Sequence, residues 1–103
     1  MTGTSSLAAE VVSGLRQAGL TIGTAESLTG GLVCGALTSV PGASSVVRGG
    51  VVAYASDVKA SVLGVDAELL RREGAVHAEV ASQLAEGVRR VLSCDVGDRK
   101  SVV

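Results

Sequence analysis

Twice in this chain a short apolar run stops at a polar turn that opens a helix-like segment. Residues 20–25 end at Glu26-Ser27-Leu28-Thr29-Gly30-Gly31, and Gly49-Gly50-Val51-Val52-Ala53 ends at Tyr54-Ala55-Ser56-Asp57-Val58-Lys59. Helix-forming segments alternating with such runs predict an α/β layered domain in which helices cover a sheet. Two strand ends of this kind can meet at one cleft.

Apolar residues at helical spacing (Leu7, Ala8, Val11, Val12, Leu15 and Ala18) predict a first helix over 6–18, stopped by Gly19. A short buried strand over 20–25 precedes an apolar helix over 29–38. The run over 49–54 does not alternate, so it is expected to be a buried strand. Ser56 or Asp57 is expected to cap a helix ending at Gly64, and Asp66 a short one over 67–72. The last helix, 78–92, is expected to bury Val80, Ala81, Leu84, Val88, Val91 and Leu92. Cys94-Asp95-Val96-Gly97 reads as the start of a third strand that does not continue, and two strands are too few for a covered sheet. The fold is therefore expected to be incomplete at its C-terminus, with residues 1–97 as the domain and 98–103 as a tail outside it. That tail is what GAT CGG AAG AGC GTC GTG, a common sequencing-adapter sequence, would encode, so an artefactual origin is the expectation; a genuine short polar tail is the alternative.

Among 103 residues, 47% hydrophobic, there is no Phe or Trp and one Tyr, so the core has to be built from Val, Leu and Ala. Stacking on nucleic-acid bases is thereby almost excluded. The formal net charge is -1 and the basic residues are scattered. Arg71-Arg72 and Arg89-Arg90 read as solvated helix faces, and no nucleic-acid footprint is visible. Cys34 and Cys94 lie far apart without a second ligand at metal spacing, which fits reduced thiols better than zinc or a disulfide. No secretion signal and no apolar run long enough for a membrane span is seen, so a cytoplasmic protein is expected.

The chemistry-bearing residues lie in the two polar turns. Ser27 precedes a helix whose free N–H groups would stabilise an anion or an oxyanion, and either Ser27 or Thr29 would serve equally as a helix cap. No Lys follows the glycines, so this is not a phosphate-binding loop of the Gly-x-x-x-x-Gly-Lys type. Glu26 is a base or orienter, or else a surface carboxylate near a positive helix end. A serine nucleophile needs a base. His77, the sole His, sits at a helix cap; Lys59 would serve if burial lowered its pKa, and is otherwise a solvated helix residue. Tyr54 relays a proton or positions a substrate, or simply packs with a wet hydroxyl.

Ala25-Glu26-Ser27-Leu28-Thr29-Gly30-Gly31, Ser39-Val40-Pro41-Gly42-Ala43-Ser44, Gly49-Gly50-Val51-Val52-Ala53-Tyr54, Asp57-Val58-Lys59 and Leu63-Gly64-Val65 resemble, in order and spacing, the CinA C-terminal domain. That family includes the stand-alone nicotinamide-nucleotide amidases. The resemblance implies a cytoplasmic bacterial amidohydrolase of pyridine-nucleotide recycling that turns nicotinamide mononucleotide and water into nicotinate mononucleotide and ammonia. It implies Ser27 as nucleophile, Lys59 as its base and Tyr54 nearby, with Glu26, Thr29, Gly30 and Gly31 framing the substrate or oxyanion. No metal or other cofactor is called for, the partner is a small nucleotide, and a homo-oligomer fits the family. A reading from another class is a non-catalytic nucleotide-binding or interaction module of the competence/damage-inducible kind.

In the family the strand near 95–97 runs on into a Thr-Gly-x-Ala-Gly-Pro-like loop, further strands and a closing helix, which this sequence lacks. The expectation is that the 103-residue chain releases no useful ammonia from nicotinamide mononucleotide while a longer product of the gene does. Turnover by the purified 103-residue protein would overturn it.

Overall fold

The computed structural model describes residues 2–27 and 29–100, and the side chains of 6–27 and 29–97. Leu28, within the first polar turn, and residues 101–103 of the tail lie outside the described residues, as does Met1. Nine elements follow in order: α1 (Thr2–Ala18), β1 (Ile22–Glu26), α2 (Leu32–Thr38), a single 3-10 turn (Ala43–Ser45), β2 (Val47–Val52), α3 (Ser56–Leu63), α4 (Ala67–Glu73), α5 (Ala78–Leu92) and β3 (Val96–Lys100).

The three strands form one parallel sheet in the order β2-β1-β3. Central β1 is buried along its whole length, and its side chains alternate between two cores. Ile22 joins Ala8, Val12, Leu37, Ala43 and Val46 under α1 and α2. Ala25 joins Ala53, Leu63, Val65, Leu69, Leu70, Val80, Leu84 and Val88 under α3, α4 and α5. Helices on both faces of a parallel sheet are the arrangement expected when each strand connection must cross over it.

Four expectations change. The run at β2 is half-buried and exposed in alternation, because β2 is an edge strand; its two glycines carry no side chain that would have revealed a face. The ladder shifts by one residue between Ile22 and Gly23, and Arg48, in that irregularity, donates from Nε to the Leu92 carbonyl at 2.6 Å. The third strand does not stop at Gly97: its backbone pairs on to Lys100, beside Glu26. Parallel pairing needs only backbone N–H and C=O groups, so the charged residues 98–100 hid a strand that apolar periodicity could not signal. Nor is α3 capped by Ser56 or Asp57. Ala55 holds the cap position with no side-chain hydrogen bond, and Val91 of α5 stays exposed.

Other boundaries agree in kind. Gly19 and Gly64 turn left-handed after α1 and α3, Asp66 accepts from the N–H groups of Glu68 and Leu69, and His77 Nδ1 accepts from Glu79 N–H at 3.1 Å. At the opposite end of the sheet from the polar turns, Asp95 accepts from both N–H and hydroxyl of Thr21, tying the entries of β1 and β3 together.

The contact of α3 with α5 depends on Gly87. A Cβ there would press on the Leu63 carbonyl oxygen and lie 2.9 Å from its carbon. Gly87→Ala gains about 1 kcal/mol of helix propensity but meets an overpacking cost of about 1–3 kcal/mol, which here falls on rigid backbone. A net loss of up to about 2 kcal/mol is expected in urea unfolding. Gly14→Ala in α1, with nothing within 4 Å, should instead gain about 0.5–1 kcal/mol. Equal effects at the two sites would refute the close-contact account.

Candidate active site at the strand ends

The two polar turns leave the sheet side by side. Glu26, the last residue of β1, pairs with Val52, the last of β2, and the Ala53 N–H donates to the Glu26 carbonyl at 2.9 Å. Ser27 thus follows directly on the pairing of Glu26 with Val52 and Ala53, outside the carboxyl ends of parallel strands, the usual place for ligands in open α/β sheets.

Lys59 comes to the same edge from α3. Its side chain is 1% exposed, and Nζ donates to the Tyr54 carbonyl at 2.7 Å. Among the described residues it has no carboxylate partner. Burial alone pushes its pKa below the ordinary lysine value. Tyr54 contributes this carbonyl, while its side chain is 72% exposed.

Glu26 is neither a surface carboxylate nor a free base. It is 2% exposed. Oε1 accepts from the Thr29 hydroxyl (2.7 Å) and the Val33 N–H (2.8 Å), and Oε2 from the Cys34 N–H (2.9 Å) and, at 3.4 Å, the Thr24 hydroxyl. Burial alone would raise its pKa. Hydrogen bonds, chiefly from Thr29, Cys34 and Val33, outweigh it and hold the carboxyl below its usual value.

This arrangement revises the sequence-based picture of the first turn. Helix α2 begins at Leu32 rather than Thr29, because Gly30 (φ 60°) and Gly31 (φ 106°) are left-handed and cannot belong to it. The N–H groups at its start are not free: Glu26 takes those of Val33 and Cys34, Thr29 O that of Leu32, and Ser27 O that of Gly30. The anion held at this helix end is the protein's own. Ser27 is buried, and among the described residues no hydrogen bond joins it to Lys59.

Thr24 was missed, though its signal was present: period two places residues 24 and 26 on the same face of β1. Cys34 serves this turn through its backbone N–H, which holds Glu26, a role its thiol does not signal. Among the described residues no three His, Cys, Asp or Glu side chains gather as a metal set, and no helix is long and apolar enough to cross a membrane.

A sequence profile of the CinA C-terminal domain matches residues 4–98. The chain belongs to the CinA C-terminal domain family. A CinA-like protein of Frankia casuarinae is 52% identical over 92 residues, covering 89% of this chain and 21% of that protein. This chain spans about a fifth of the length of the curated relatives it matches. The crystal structure of the competence/damage inducible protein CihA from Agrobacterium tumefaciens superposes with a TM-score of 0.83 at 40% identity, over 90% of this chain and 55% of that one. A CinA superfamily protein from Escherichia coli gives 0.89 at 29% identity, over 91% and 55%. The resemblance read from the motifs is thus a family membership, and the α/β fold is that of CinA superfamily proteins.

Because the folded protein disfavours the Lys59 ammonium, it releases that proton at a lower pH than the unfolded chain. Stability therefore rises with pH between the folded pKa and the unfolded value of about 10.4. Lys59→Met, apolar and of similar length, is expected to be more stable at pH 7 by about 1–4 kcal/mol, with the gap to wild type closing toward pH 10 or so. Urea unfolding across pH measures it, and a variant no more stable than wild type at pH 7 would show that burial of Lys59 costs nothing.

Proposed function

We propose that this chain is the serine- and lysine-bearing part of a cytoplasmic amidohydrolase that converts nicotinamide mononucleotide and water to nicotinate mononucleotide and ammonia. The observation that carries this reading is Lys59, a buried lysine on the Tyr54 carbonyl, just past the end of the strand that pairs with the one leading into Ser27. A lysine whose charge is disfavoured keeps a share of neutral amine, which is what a base for a serine hydroxyl must be. Family membership supports the reading, and the substrate is the one the resemblance implies.

In this mechanism the Ser27 oxygen bonds to the carboxamide carbon as Lys59 Nζ takes the hydroxyl proton. The tetrahedral intermediate collapses when Lys59 returns that proton to the amide nitrogen, the C–N bond breaks and ammonia leaves. Water then attacks the acyl ester, Lys59 accepts its proton and passes it to the departing Ser27 oxygen. The N–H groups of Gly30, Leu32, Val33 and Cys34 are engaged within the protein, so the oxyanion calls for other donors.

The second reading, a non-catalytic nucleotide-binding module, draws on two observations: Ser27 and Lys59 share no hydrogen bond, and Glu26 occupies the helix end. One experiment separates them, ammonia release and nucleotide affinity measured on the full-length product of the gene. The amidase reading expects Ser27→Ala and Lys59→Ala each to lower kcat by about 100-fold or more with affinity kept within a few-fold. It also expects an ascending limb in the pH–rate profile below the ordinary lysine value of about 10.4. Nucleotide binding without ammonia release by the wild type would favour the binding module.

A further inference from the structure

Glu26 has no acceptor capacity to spare. Four donors, Thr29 and Thr24 hydroxyls and the Val33 and Cys34 N–H groups, meet a carboxylate that offers about four lone-pair sites. A side chain so engaged, and buried, is a poor candidate for holding substrate. What it holds instead is the connection on which Ser27 sits.

We propose that Glu26 is a positioning residue for Ser27: its carboxylate locks the first turn of α2 onto the end of β1 and thereby fixes Ser27, Thr29, Gly30 and Gly31 between them. The proposal rests on the reading of Ser27 as the nucleophile. The connection is intrinsically loose, because Gly30 and Gly31 are both left-handed and glycine restricts its backbone least. At one end the Glu26 backbone is fixed by pairing with Val52 of β2 on one side and with the backbone at the end of β3 on the other. At the other, the same residue's two oxygens reach Val33 and Cys34 in α2, and the Thr29 hydroxyl ties the middle of the connection to Oε1. One side chain therefore sets both anchor points of the turn. Thr29 belongs to this clamp, since its hydroxyl is directed at Glu26 at 2.7 Å.

Two substitutions test the clamp in the full-length gene product. Glu26→Gln replaces one acceptor oxygen by an NH2 group that faces N–H donors; Thr29→Val removes one hydrogen bond and spares the helix end. A nucleophile displaced by about 1 Å loses on the order of 100-fold in rate. Glu26→Gln is accordingly expected to lower kcat about 100-fold and Thr29→Val about 10-fold, with KM within about threefold. Thr29→Ser, which keeps the hydroxyl, should retain the wild-type rate. The ascending limb of the pH–rate profile should stay in place, because Lys59 still titrates. Labelling of Ser27 by a fluorophosphonate should slow in parallel with kcat.

A raised KM with kcat kept would make these residues substrate ligands, and loss of the ascending limb in Glu26→Gln would make Glu26 the base; either overturns the proposal. So do unchanged kcat and labelling in both variants. Should Glu26→Gln fail to fold, Thr29→Val and its Ser rescue still decide. If wild type labels at Ser27 but releases no ammonia from nicotinamide mononucleotide, the function reading fails while the labelling rates still judge the clamp. Wild type that does not label at Ser27 overturns both.

Discussion

A carboxylate withdrawn from water at the end of a central strand is tolerated only where donors replace its hydration. Glu26 meets that condition through two hydroxyls and two N–H groups, drawn from β1, from the turn and from α2. The bonds work both ways. They satisfy the anion, and they satisfy N–H groups that the first turn of a helix leaves without intrahelical partners. Because α2 has no other side-chain cap, its N-terminal position depends on this one residue. The turn that carries Ser27 inherits its geometry from the same bonds.

Lys59 presents the opposite case. It too is buried, yet it has one backbone carbonyl for its three donors and no carboxylate within ion-pair distance among the described residues. The pKa values of both groups are lowered, but with opposite consequences: Glu26 is held in its charged form, and Lys59 is pushed toward its neutral form. An anion that organises backbone and a cation whose charge burial disfavours stand at neighbouring strand ends. That pairing of a satisfied group with an unsatisfied one is the main physical argument for placing chemistry here rather than elsewhere on the domain.

The rest of the molecule allows these side chains to be buried without aromatic bulk. Val, Leu and Ala fill two cores, one on each face of a three-stranded sheet, and Gly87 lets α5 lie against the α3 carbonyl at Leu63. Small residues permit backbone to approach backbone, so enclosure comes from close packing rather than from large rings. Enclosure of this kind is what excludes water from Lys59.

Much of the architecture was legible in the order of residues. Helical spacing of apolar residues placed α1 and α5, the glycines marked where α1 and α3 stop, and Asp66 and His77 announced their caps, because each of these signals acts within a few positions of the chain. The motifs likewise brought Ser27 and Lys59 to attention together. What local sequence did not carry was decided by neighbours distant in the chain. That β2 is an edge, that charged residues continue β3, that Glu26 is an internal cap rather than a surface carboxylate, and that Lys59 is buried all depend on what packs against them. Residue order determined which elements form and which polar groups gather at the strand ends. Only the tertiary structure decided which of those groups is satisfied and which is not, because burial and hydrogen-bond supply are properties of surroundings assembled from the whole chain.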